Sequence, residues 1–298
     1  ETDTDYATFH FTSLDNPHLP QTEKDKAKDE LDFETYRQEV LAEYVDGQGS
    51  LFNYMALVDV FSNTIEKSNE KYLIVDIADD GSDKTIFSFW EGLEEYRREE
   101  FSRMNTESII AKTREYAAED RIPFSHIAVD AIGVGAGVAS SSLLDGIIGF
   151  KSSYSPIKTD QNIVLLPNVS YVKNPLNKLT SDYKNLRSQC VFTLADKVNN
   201  HKIASRVSGK QKEVIIEELT TYQDISKGDG KRMAMAKEEI RDIIGRSPDH
   251  SDTWIMRMYF EVLESMLPEQ SEERTQIINR LHEQFAYRRS NFTSNSNK

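Results

Sequence analysis

Cysteine is nearly absent from this chain: Cys190 is the single one in 298 residues, which excludes an intramolecular disulfide and makes a reducing compartment the default expectation. No apolar run approaches the roughly 20 residues needed to cross a bilayer, and the polar start Glu1-Thr2-Asp3-Thr4-Asp5 is no signal peptide. A soluble protein is expected. Basic residues are in short supply too, 36 Lys and Arg against 50 Asp and Glu, for a net charge of −14. That balance speaks against a broadly basic face for nucleic acid, whose backbone is gripped mainly by Lys and Arg. It leaves open one groove in which divalent cations between acids bring the positive charge.

Against that polar background one short run stands out. Tyr72-Leu73-Ile74-Val75-Asp76-Ile77 is apolar and β-branched, and it is bounded by Lys71 and the polar turn Asp79-Asp80-Gly81-Ser82-Asp83. This is the pattern of a central strand buried on both faces. An ionised Asp at its end costs several kcal/mol unless a cation or hydrogen-bond donors answer it, so Asp76 needs a partner. Ile127-Ala128-Val129-Asp130 repeats the arrangement and runs into Gly133-Val134-Gly135-Ala136-Gly137. Two strands of one sheet would then deliver two carboxylates to one edge.

The length suits one large domain or two small ones. Residues 1–65 do not read as a domain of their own: Thr22 can cap a charged helix over about 23–31, a second helix is expected from Asp32 to Tyr44, and a connecting helix and linker follow at 55–70. From Lys71 onward the pattern predicts a meander of three antiparallel strands, the third being the charged run Glu94 to Arg103 at the sheet edge. A helix from Thr106, the strand ending at Asp130, a helix after the glycine run and a strand at Gly146–Phe150 come next. That order predicts an α/β fold of ribonuclease-H-like type, a mixed central sheet of three antiparallel then two parallel strands flanked by helices. An accessory β-hairpin is expected from Ile163–Leu166 and Val169–Val172 around Pro167-Asn168. A long helix over Asn174–Asn199, a short strand at Lys202–Ala204 and a helix near Lys210–Thr221 precede the last core helix, with Ser247 as its cap and Pro248 at its first position. The domain would occupy 66–266, and the polar tail 267–298 is expected to be disordered.

Asp76 and Asp130 at strand ends and Asp252 in the first turn of the last helix form a candidate catalytic set. Three carboxylates on one cleft suit hard divalent ions, Mg²⁺ or Mn²⁺. Two such ions can promote in-line attack on a phosphodiester. Asp83 is a candidate fourth acid; for Asp249 and Asp252 taken singly, charge compensation at a helix start is the competing role, and Asp249 is the weaker ligand of the two. His250 reads as an exposed helix-start residue rather than a base, and Cys190 as a core residue. The glycines at 133, 135 and 137 miss the dinucleotide fingerprint, so close packing of helix on strand explains them better.

Four segments taken together, Val75-Asp76-Ile77-Ala78 with Gly81-Ser82-Asp83-Lys84-Thr85, Val129-Asp130-Ala131-Ile132-Gly133, Tyr183-Lys184-Asn185-Leu186-Arg187-Ser188-Gln189 and Gly245-Arg246-Ser247-Pro248-Asp249-His250-Ser251-Asp252, resemble the nuclease domain of the large terminase subunit of tailed bacteriophages. The resemblance spans about residues 71–266. Residues 1–65 resemble the end of that family's ATPase domain and its linker. The resemblance implies a DNA-packaging motor in the host cytoplasm whose C-terminal domain cuts concatemeric double-stranded DNA with two Mg²⁺ or Mn²⁺ ions. Asp76, Asp130 and Asp252 would be the ligands, Asp76 bridging both ions and Asp83 assisting. Its partners would be a portal protein and a small terminase subunit. No Gly-x-x-x-x-Gly-Lys-[Ser/Thr] run is present, so ATP hydrolysis is not expected from this chain alone, which reads as an excised or truncated C-terminal part.

Two alternatives stay open. An actin-like or sugar-kinase ATPase would use Asp76, Gly81 and Thr85 in a phosphate loop, but it needs a second glycine-rich half that the sequence after residue 150 does not offer. A non-catalytic docking module of the motor would keep the acids as vestiges. Candidate DNA contacts are Lys151, Lys158, Lys173, Lys178, Lys184, Lys231, Arg232 and Lys237.

Overall fold

The computed structural model describes residues 11–30, 36–42, 49–78, 84–160, 163–165, 182–228 and 230–265. The chain divides into two compact units, Glu1–Gln48 and Gly49–Lys298. In the first, a 3₁₀ turn at Ser13–Asp15 is tied by the Asp15 carboxylate, which accepts from both the backbone N–H and the hydroxyl of Thr12. Helix α1 (Gln21–Glu30) follows Pro20 directly, so it starts ahead of the cap expected at Thr22. Of the helix expected over 32–44, the described residues show a single π turn, Tyr36–Val40.

The second unit opens earlier than the boundary near residue 65. Leu51, Phe52 and three residues around α2 (Tyr54–Asp59), namely Ala56, Leu57 and Val60, are buried in its main core. Its sheet is built from β1 (Lys71–Asp76), β2 (Lys84–Glu91), β3 (Glu94–Ser102), β4 (Ile127–Asp130), β5 (Ile148–Phe150) and, much later in the chain, β8 (Ala204–Ser205). The spatial order is β5-β4-β1-β2-β3-β8. β1, β2 and β3 pair antiparallel as the meander requires, while β4, β5 and β8 join in parallel, β4 beside β1 and β8 beside β3. The fold is ribonuclease-H-like, as expected.

Alternation along the strands assigns the two faces. On β1, Leu73 and Val75 lie in a core covered by α3 (Thr106–Glu119) and α4 (Val134–Ala139). Tyr72 and Ile74 lie in the opposite core, built with α5 (Leu186–Asn199), α6 (Gly209–Thr220) and a last, largely buried helix, here α8 (Asp249–Ser265). Between α6 and α8 runs α7 (Lys237–Ile244). Full burial of Trp254 against Trp90 and Phe61 anchors α8 to the sheet, a contribution of about 3 kcal/mol.

Several boundaries differ from expectation, each for a local reason. β3 is not a free edge, because β8 pairs with Glu94 and Glu95, and the buried Glu95 carboxylate accepts from Ser88, Arg98, Ser205 and Trp254. The accessory hairpin pairs β6 (Lys158–Asp160) antiparallel with β7 (Ile163–Leu165), one arm earlier than expected, whereas residues 169–172 lie outside those described. α5 begins at Leu186 rather than near 174, because Asn185 caps it by accepting from the Ser188 N–H and Tyr183 bridges to Arg232. α8 begins at Asp249, with the Pro248 carbonyl taking the first helical bond from Asp252. The expectations for residues 267–298 lie outside the described residues.

Candidate active site

Register and parity bring the first two acids together. Val75 and Val129 are partners in the parallel β1–β4 pair, so the next residues, Asp76 and Asp130, end adjacent strands about 4.8 Å apart. Both are even-numbered on strands whose even residues, Tyr72, Ile74 and Ala128, face the core that contains α8. α8 returns two more acids to that place: Asp249, Asp252 and Met256 fall on one helical stripe, and all three line a cleft of about 440 Å³ with Asp76 and Asp130. Ser152, Ser153, Asn185, Arg187, Lys237 and Arg241 also line it.

The acids crowd one another. Burial pushes the Asp76 carboxyl well above the ordinary carboxylate range; Lys237 opposes the shift, and Asp252, Asp249 and Asp130 reinforce it. The Lys237 ammonium lies 2.6 Å from Asp252 Oδ2 and 3.5 Å from Asp249 Oδ1. Burial works against that ammonium, yet Asp252, Asp76 and Asp249 hold it above the usual lysine range. Asp130 Oδ1 accepts from the Ile132 N–H at 3.2 Å, which fixes the turn into the glycine run.

A buried polar frame holds the first turn of α8. From the sheet, Arg98 reaches the His250 ring, the His250 carbonyl and Thr253 Oγ1. His250, expected at an exposed helix start, is therefore buried. Burial and the Arg98 guanidinium push its pKa down to about 3, so the ring is neutral, with Nδ1 accepting from Arg98 and Nε2 facing Glu100. From α6, Glu218 Oε2 accepts the Ser251 N–H at 2.6 Å while its other oxygen pairs with Arg246.

Among the described residues, no three Asp, Glu, His or Cys side chains are gathered as a ready-made ion cage. The donors nonetheless suit a hard divalent cation: four carboxylates border one cleft, their charge is unbalanced at Asp76, and a cationic group already stands between Asp249 and Asp252.

Of the sequence candidates, Asp76, Asp130, Asp249 and Asp252 meet in this cleft, and Asp83 lies outside the described residues. Lys237, expected as a DNA contact, is instead paired with the acids. Lys151, Lys184 and Arg232 do not line the cleft but precede Ser152, Asn185 and Met233, which do. Lys184 and Arg232 sit on bridged segments, with Lys231 beside them. Lys173, Lys178 and the Lys158 side chain lie outside the described residues. Sequence reasoning missed Arg187 and Arg241. For Arg187 the signal was available, its place in the Tyr183–Gln189 segment that carries part of the resemblance; Arg241 carries none. Cys190 is buried in the core, and no described helix is long and apolar enough to cross a membrane.

No protein-family model and no curated protein matches this sequence. Solved structures do. The nuclease domain of the large terminase subunit gp2 of bacterial virus Sf6 aligns at 21% identity and a TM-score of 0.55, covering 70% of this chain and 98% of that one. A point mutant of the same domain with manganese and beta-thujaplicinol gives 21% identity, the same coverage and a TM-score of 0.56. The mutant with calcium gives 21% and 0.55, again over 70% and 98% of the two chains. The chain therefore has the ribonuclease-H-like fold of the nuclease domains of phage large terminase subunits.

Proposed function

We propose that this chain is a divalent-metal-dependent DNA endonuclease, the nuclease part of a phage packaging terminase that cuts concatemeric double-stranded DNA. The observation that carries the reading is the convergence of Asp76 and Asp130, at adjacent strand ends, with Asp249 and Asp252 of α8 on one cleft. Sf6 relatives of the same fold determined with manganese and calcium lend support.

Asp76, Asp130 and Asp252 would hold two Mg²⁺ or Mn²⁺ ions, with Asp249 and Asp83 as further oxygens. When bound, the ions supply Lewis acidity toward the phosphodiester and its attacking water. The chain itself supplies the rest. Burial and three neighbouring acids push the Asp76 carboxyl well above the ordinary range, and a bound cation would favour its ionised form. Lys237 neutralises Asp249 and Asp252 until a stronger cation arrives. Ser152, Ser153 and Asn185 offer uncharged donors to phosphate oxygens, and Lys151, Lys184, Lys231 and Arg232 give charge at the rim. Backbone contacts of this kind read no sequence and weaken steeply with salt.

Residues 1–48 are the end of an ATPase domain and its linker in this reading, the stretch from Gly49 belonging to the second unit. The motor partners are a portal protein and a small terminase subunit in the host cytoplasm, and docking on them supplies effective concentration that the −14 charge denies the free protein. Incubation with supercoiled plasmid and Mg²⁺ or Mn²⁺ tests the proposal. The parent should nick and linearise it, and Asp76→Ala should leave it intact. Equal cutting by both proteins would refute the site.

A further inference from the structure

Two cations touch Asp252, and they are held in different ways. Lys237 reaches Oδ2 at 2.6 Å from a half-buried stem, and its other ion pair is also with an acid of the cleft, Asp249. Arg187 stands 3.6 Å from Oδ1 and is buried. Its guanidinium is tied to groups that carry no charge: NH1 donates to the Met235 carbonyl and NH2 to the Tyr222 hydroxyl, both at 2.8 Å. It also lies over the Tyr222 ring, and its backbone N–H is bound to the Ser152 carbonyl. An incoming ion can compete for Asp252 with Lys237. It cannot move Arg187 without breaking these bonds.

The hydrogen-bond direction extends the hold. Because the Tyr222 oxygen accepts from Arg187, its own hydrogen is directed to Ser251 Oγ, 3.3 Å away. Ser251 Oγ in turn donates to the Pro248 carbonyl at 3.0 Å, the group that takes the first helical bond of α8. The guanidinium thus reaches the turn bearing Asp252 by two routes, one through charge and one through a relay of hydroxyls. Arg98 is equally buried and also bonds this turn, but from the sheet side and to none of the cleft acids.

We propose that Arg187 is the positioning residue for Asp252: it pairs with Oδ1 from a fixed place and would leave Oδ2, now paired with Lys237, as the oxygen offered to a metal ion. The inference rests on the metal-site reading above. Groups that orient a metal-ligating side chain are generally worth 10–100-fold in metal affinity.

The test is Mn²⁺ binding by calorimetry on the full chain, beside thermal melting in EDTA, for the parent and for Arg187→Gln, Arg187→Lys, Tyr222→Phe and Asp252→Ala. Arg187→Gln is expected to bind Mn²⁺ at least about 10-fold more weakly than the parent. Arg187→Lys, which keeps charge but not the two-armed geometry, should fall between them, and Tyr222→Phe should show a smaller loss with the ion pair intact. A purely structural role for Arg187 would lower the melting temperature and leave the affinity of the folded protein unchanged, which overturns the proposal. If Arg187→Gln fails to fold, the Lys and Phe variants decide: parental affinity in both overturns it, and graded loss supports it. A parent that does not bind Mn²⁺, or an Asp252→Ala variant that binds equally well, would instead sink the metal-site reading itself.

Discussion

Lys237 Nζ lies 2.6 Å from Asp252 Oδ2, so a side chain of this protein occupies the ground that a metal ion would need. Replacing it with Met leaves Asp76, Asp249 and Asp252 less compensated. The metal-free variant should lose about 1–2 kcal/mol, less than a fully buried pair would cost because a third of the Lys237 side chain is in solvent. Mn²⁺ should restore that loss in denaturant titrations, and metal should bind more tightly than to the parent.

Asp76 is the mirror case. Buried and pressed by three neighbouring carboxylates, it strains the metal-free fold. Asp76→Asn is expected to stabilise the protein in EDTA by about 1–2 kcal/mol, a rise of a few degrees in melting temperature, while abolishing cleavage and stabilisation by Mn²⁺. A variant both inactive and less stable in EDTA would contradict this account of the charge.

Gly135 of α4 packs directly over the end of β4: an added Cβ would stand 1.9 Å from the Asp130 carbonyl oxygen. Gly135→Ala must therefore push the helix off the strand, at a cost of about 3 kcal/mol, and it moves Asp130 with it. Chemical denaturation should show the loss. Cleavage measured well below the melting temperature should fall too, as Gly137→Ala should not, since a Cβ there meets only the Thr106 methyl at 3.5 Å.

Glu218 predicts a pH signature. Burial raises its pKa from 4.5 to about 7, against the pull of the Ser251 N–H and Arg246. The folded protein thus binds this proton more tightly than the unfolded chain does. The resulting stability is complete below pH 4.5 and is lost as pH rises through about 7, with a total near 3 kcal/mol. Glu218→Gln keeps an acceptor for Ser251 and removes the titration. Denaturant midpoints should show the variant gaining on the parent between pH 5 and pH 8, and parallel profiles would exclude the assignment.

Much of the sheet was legible because its signal is local. Leu73–Val75 and Ile127–Val129 are apolar runs closed by an acid, and Ser247-Pro248 announces α8 within two residues. Of the glycine run, Gly135 bears out close packing of helix on strand, whereas Gly133 takes a positive φ at the helix start and Gly137 meets only the Thr106 methyl. What escaped depends on partners far apart in sequence. Glu95 and Arg98 lie in a run so charged that composition reads it as solvent-facing, yet they neutralise each other inside the core with help from Ser205 and Trp254. His250 gives no local sign that Arg98, 152 residues earlier, will bury it. Lys237 read as a surface cation for DNA because nothing near it in sequence reveals that its helix starts opposite Asp252. The start of α5 is hidden in a polar stretch, where nothing but the Asn185 cap separates helix from what precedes it.

The turn that carries Asp252 lies over a hundred residues beyond Asp130, although the two share one cleft. A ribosome makes this chain from the amino end, so a nascent protein exposes the paired strands well before α8 emerges. The cleft that gathers Asp76, Asp130, Asp249 and Asp252 is therefore complete only once α8 has emerged and packed back onto the sheet.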